Sequence, residues 1–255
     1  MRIAAAQTKP FRANTNANIE AHCKLVDLAN QHGVKFLLFP EMSLTGYERG
    51  MAQSLAFYTD DERLNPIRTL AVAFGMVIVV GAPIAIESKL YIGSFILHPD
   101  GTLAIYTKQF LHPGEELFFT ASSEFNPIIE VGEHRISLAI CADTSHPEHP
   151  ANAKKSGATL YAASVFFYPD EMDENPLIGD YAKTHSINVL MANYCGESWG
   201  KEAGGRSGYW NSTGERVGEL TTDKEALFIV GDSTAPWRAW TAQNIIVDPD
   251  GTSHF

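Results

Sequence analysis

VKFLLFPEMSLTGY, residues 34–47, is the stretch from which the fold is read. Residues 34–39 form an apolar run of strand length, the pattern of a strand buried on both faces in a sheet covered by helices. Glu41 follows its end. A carboxylate there is either a solvated loop acid or an acid–base group held at the edge of a sheet.

Working outward, residues 3–7 form a short apolar strand. A helix is predicted over 18–32, where Ile19, Leu25, Val26, Leu28 and Ala29 share one face and Gly33 supplies the stop. Downstream, Asn65 as N-cap and Pro66 at the first helical position open a second helix. It carries Ile67, Leu70, Ala71 and Phe74 and stops at Gly75, after which 76–82 is a buried strand. Strands 91–98 and 103–107 flank Pro99-Asp100-Gly101 as a hairpin, and Lys108 sits where its second arm ends. Another hairpin turns at Gly132-Glu133, and its returning arm, 136–140, delivers Cys141. A helix from about 147 to 157, a strand over 159–164, a helix over 177–185 and a strand over 189–193 follow. Two more strands surround Ser212-Thr213-Gly214. Strands alternating with helices and hairpins indicate an α/β chain with a mixed sheet system covered by helices.

Composition sets outer limits. A chain of 255 residues, 45% hydrophobic, can bury a sizeable core, and no linker or charge block divides it, so residues 1–255 are expected to form a single domain. The net charge of −11 argues against a nucleic-acid partner, which would need clustered Lys and Arg. Cys23, Cys141 and Cys195 are an odd, sparse set without a CxxC pair, as in a reducing compartment. The N-terminal apolar run is too short for a signal peptide, and Gly75, Gly81 and Pro83 divide the uncharged stretch 69–86, so no membrane span is expected. A cytoplasmic location is the expectation. His146 and His149 bracket Pro147-Glu148, but no third ligand at metal spacing accompanies them, and no metal or other cofactor is called for.

Glu41, Lys108 and Cys141 thus each lie at or just beyond a strand end. A cysteine attacks carbon as its thiolate, and a free thiol of pKa about 8.5 needs a base or a nearby cation to become one. Taken singly, each has a bland reading: a loop acid, a surface lysine, a buried inert thiol. Together they are the parts of a thiol hydrolase.

Phe39-Pro40-Glu41 with Leu44-Thr45-Gly46-Tyr47, and Cys141 with Asp143, Pro147 and Glu148, resemble the glutamate and cysteine segments of the nitrilase, or carbon-nitrogen hydrolase, superfamily. The resemblance covers nearly the whole chain. It implies a four-layer α-β-β-α sandwich with the active site at strand ends between two sheets, and pairing into homodimers or larger homo-oligomers. It further implies Cys141 as nucleophile, Glu41 as base, and Lys108 with the backbone N–H of Ala142 as oxyanion donors. Glu115 is the expected second glutamate, with Glu116 competing for the place. Tyr47, Phe166 and Asn193 are expected to wall the pocket.

The expected reaction is hydrolysis of a small linear amide or carbamoyl compound through a thioester, with water as second substrate. Some family members grip a substrate carboxylate with arginines just after the cysteine; Thr144 and Ser145 stand there instead and cannot do so. The aromatic, acidic loop 166–174 could instead receive a cationic or polar amide. Two alternatives stay open: a nitrilase, whose usual aromatic-Glu pair after the cysteine is Ala142-Asp143 here, and a catalytically silent binding protein on the same scaffold.

Overall fold

The computed structural model describes residues 1–174 and 177–231 and the short strands 238–241, 246–247 and 253–254. Along the chain run β1 (Arg2–Gln7), β2 (Val34–Leu38), β3 (Val77–Ile86), β4 (Lys89–Leu97), β5 (Leu103–Thr107), β6 (Ile129–Val131), β7 (His134–Ile140), β8 (Leu160–Ser164) and β9 (Asn188–Ala192). They are followed by β10 (Cys195–Ser198), β11 (Lys201–Gly204), β12 (Gly208–Trp210), β13 (Arg216–Glu219), β14 (Ala226–Gly231) and β15 (Arg238–Thr241). One sheet has the order β15-β14-β1-β2-β3-β4-β5, the other β13-β12-β9-β8-β7-β6. Each is parallel at its centre, β1-β2-β3 in the first and β7-β8-β9 in the second, and antiparallel at its edges.

Strand periodicity explains the layering. Successive side chains point to opposite faces, so an all-apolar strand feeds two cores. In β1, Ile3 and Ala5 join the core between the sheets, while Ala4 and Ala6 join the core under the helices Thr15–Gln31 and Asn65–Phe74. In β8, Leu160 and Ala162 face the inter-sheet core, while Tyr161 and Ala163 face the helices Glu148–Lys155 and Leu177–His185. The result is the expected four-layer α-β-β-α sandwich.

Details differ from expectation for local reasons. The first helix begins at Thr15, because the Asn14 side chain caps Ala17 N. Asn65 lies inside its helix, since Asp61 caps a preceding 3-10 turn, Glu62–Leu64; Gly75 ends the helix in the left-handed conformation as predicted. β3 and β4 run on to Ile86 and Lys89 and join through Glu87-Ser88, with Glu87 at φ +53°, a tight turn that carries no Gly or Asn signal. The strand β14 and the hairpin of β10 and β11 have no counterpart in the sequence reading, and residues 169–174 form a short helix where a loop is expected. The uncharged stretch 69–86 is divided between a helix and β3. Among the described residues no helix is long and apolar enough to cross a membrane.

Candidate active site

The carboxyl ends of β2, β5 and β7 meet where the two sheets face each other, and each end carries one of the three candidates. Glu41 follows β2 in a tight turn in which Met42 takes φ +50°. That turn lies directly on β3: Phe39 N donates to Val79 O at 2.9 Å, and Leu44 N to Gly81 O at 2.9 Å. A Cβ on Gly81 would stand 2.3 Å from Met42 N and 2.7 Å from Pro40 O, so the close approach needs glycine. Gly81→Ala is therefore expected to cost about 1–3 kcal/mol of stability, as overpacking does. It should also lower kcat by displacing Glu41. Denaturant melts paired with turnover assays check this, and an unchanged melt would show that the turn yields freely. From the opposite sheet, Ser164 Oγ donates to Phe39 O at 2.8 Å, and Tyr194 Oη to the Glu41 carbonyl at 2.5 Å.

Cys141 occupies a sharp transition from β7 to a 3-10 turn, Cys141–Ser145, with φ +41°. This left-handed conformation costs a side-chain-bearing residue about 1–2 kcal/mol, and a turn of this kind pushes the nucleophile out from the sheet end. Asp143 holds it in place. Its Oδ2 accepts from Ile140 N at 2.9 Å and Tyr106 Oη at 2.6 Å; its Oδ1 accepts from Gln109 N at 3.0 Å and Phe110 N at 2.9 Å. One buried carboxylate thus ties the cysteine turn to the chain just past Lys108. His149 adds to this network through Tyr106 and Tyr161, at 2.9 and 2.8 Å, and His146 stacks on Phe110. Among the described residues no cluster of three His, Cys, Asp or Glu is placed to hold a metal ion.

Lys108 is completely buried, and its ammonium donates to Glu41 Oε1 at 2.7 Å and Glu115 Oε1 at 2.8 Å. Glu115 also accepts from Tyr47 Oη and, at 2.8 Å, from His112 N. Glu116 points away and accepts from Gly114 N. Glu41 Oε2 is buried and has no hydrogen-bond partner among the described residues.

Burial pushes the Glu41 carboxyl up, to about 7, against the pull of Lys108, with Glu115 adding to the rise. Burial opposes the Lys108 charge, but Glu41, Cys141 and Glu115 outweigh it and raise its pKa overall. The Cys141 thiol is also raised, by burial first and then by Glu41, while Lys108 and the Phe166 N–H pull it down. Burial thus opposes ionisation of the thiol, which stands beside a buried carboxyl oxygen without a hydrogen-bond partner among the described residues.

A cavity of about 120 Å³ opens onto these groups, lined by Glu41, Tyr47, Arg49, His112, Cys141, Phe166, Tyr168, Glu171 and Trp199. The structure brings Glu41, Lys108, Glu115, Cys141, Tyr47 and Phe166 together. Ala142 follows the sulfur but does not line the cavity. Asn193 is not brought to it at all: its side chain is buried, accepting from Phe167 N and Tyr194 N and donating to Phe167 O and Gly205 O. It braces the two loops behind the cavity wall. Arg49, Trp199 and His112 also line the cavity, and nothing in the sequence separates them from ordinary turn residues.

Comparisons with known proteins place the chain in a family. A hydrolase of Pseudomonas protegens, encoded in the pqqF 5' region, is 26% identical over 90% of this chain and 81% of its own. A probable nitrilase of Schizosaccharomyces pombe is 25% identical over 88% and 86%. A solved mutant of the Nesterenkonia AN1 amidase, from the nitrilase superfamily, superposes with a TM-score of 0.80 at 25% identity, covering 90% of this chain and 89% of that one. The carbon-nitrogen hydrolase family model matches residues 2–241. The chain belongs to the carbon-nitrogen hydrolase family.

Proposed function

We propose that the protein hydrolyses a small linear amide or carbamoyl compound through a thioester on Cys141. The observation that carries this reading is the unpartnered Glu41 Oε2 in the cavity that Cys141 lines, with the other Glu41 oxygen anchored on Lys108. Glu41 takes the thiol proton as sulfur bonds to the carbonyl carbon. An ammonium has three N–H donors; Glu41 and Glu115 occupy two on Lys108, which leaves the third for the oxygen that becomes negative. As the carbon–nitrogen bond breaks, Glu41 returns the proton to the leaving nitrogen. It then takes a proton from water, whose oxygen attacks the thioester, and the acid departs as the thiol is restored.

Incubation with a panel of short amides and nitriles, with peptide mapping of Cys141 and ammonia release as readouts, tests the proposal. An acyl adduct on Cys141 and ammonia from an amide support it. Turnover confined to nitriles, or saturable binding with neither adduct nor ammonia, rejects it.

The base works when ionised, so kcat/KM for such an amide is expected to rise with pH through about 7, the value to which burial pushes Glu41. Glu41→Gln should flatten that limb and lower kcat/KM by about 10²–10⁴-fold. An unaltered acid limb in the variant would assign the base elsewhere.

A further inference from the structure

We infer that Arg49 binds a carboxylate of the substrate, so that the preferred amide carries an acid group a few bonds from the scissile carbon; the inference rests on the amidase reading above. Arg49 is only 9% exposed, yet its Nε and Nη1 are buried without any hydrogen-bond partner among the described residues. Its guanidinium carbon lies 3.7 Å from the centre of the Trp199 ring, which fixes the plane of the group without neutralising it. Among the described residues no carboxylate stands within ion-pair distance of it. The adjacent Glu48 is turned away, pairing with Arg12 at 3.2 Å and accepting from Trp199 N at 3.1 Å. Glu171, which shares the cavity, accepts from Tyr168 N at 2.8 Å.

A buried cation without an acid partner is costly to maintain, and such a group is ordinarily matched by an anion. The cavity supplies the place for one. Arg49 and Cys141 line the same space of about 120 Å³. One short molecule can then place an anion on Arg49 and an amide at Cys141. A planar guanidinium suits a carboxylate. The grip that Thr144 and Ser145 cannot provide thus comes from a different segment of the chain.

Succinamate and its neutral isostere 4-methylpentanamide separate the charge from the shape. The ratio of their kcat/KM values is expected to favour succinamate in the native protein. It should fall by about 100-fold in Arg49→Met, with partial recovery in Arg49→Lys. Calorimetric binding of succinamate to Cys141→Ala, with and without Arg49→Met, reads the same contact without turnover. An unchanged ratio, or binding indifferent to Arg49, overturns the inference while leaving the amidase reading intact. Arg49-dependent binding with no amide hydrolysed by the native protein would instead uphold the anion site and reject the amidase reading.

Discussion

Cys141→Ala is expected to abolish amide hydrolysis, with kcat falling by about 10⁶-fold, the loss that follows deletion of the nucleophile from a hydrolytic unit. Among the described residues Cys141 supplies the sole thiol that lines the cavity, and its proton is the one Glu41 removes on the first step. A hydroxyl would not serve as a substitute. Glu41 is pushed up to about 7, but an alcohol is a far weaker acid than a thiol, so Cys141→Ser should be nearly as inactive. The fold should survive, because Ala keeps the Cβ and therefore the same φ of +41° that Cys141 already bears. Thermal melts within a few degrees of the parent, together with retained amide binding, would separate lost chemistry from lost structure. Substantial turnover in Cys141→Ala would mean that the thioester route is wrong.

The parts of this site that a reader of the sequence can find are those announced by local context. Glu41, Lys108 and Cys141 stand at strand ends that turn residues and apolar runs mark out, and the segments around Glu41 and Cys141 resemble known motifs. Glu115 and Glu116 look alike in sequence; only the fold shows that one is buried on Lys108 and the other faces Gly114. Asn193 fails for the same kind of reason. A polar residue after a strand reads identically whether it faces a cavity or braces a loop, and here its amide is consumed by backbone partners. Arg49 and Trp199 are 150 positions apart and meet only because β10 and β11 bring the Trp199 turn over the Glu41 segment. Gly81 carries no local sign of the turn that packs on it from residues 40–42. Long-range juxtaposition, not composition, makes the substrate end of the cavity.

Lys108→Met is expected to damage both stability and activity, and the two losses should respond oppositely to pH. In the native protein one ammonium lies between Glu41 and Glu115, both fully buried. Removing it leaves two carboxylates facing each other in the interior, and breaking a buried ionic cluster in this way costs about 3–5 kcal/mol. Without the pull of Lys108 the Glu41 carboxyl rises further above its ordinary value of 4.5. A group whose folded pKa lies above its unfolded one stabilises the fold below the unfolded value and loses that contribution as pH rises through the folded one. The stability deficit of Lys108→Met should therefore grow as pH rises above about 7, where Glu41 is ionised in the native protein but not yet in the variant, and level off below it. Glu115→Gln added to Lys108→Met should recover part of it by removing one of the two charges. Activity cannot recover in acid, because the conditions that restore the fold protonate the base, and the oxyanion has lost its donor at a cost of about 10²–10³ in kcat. Urea melts from pH 6 to pH 9 alongside turnover assays measure both. A deficit that is constant across this range would show that Glu41 is not held as an ion by Lys108, and the proposed division of labour between them would fail.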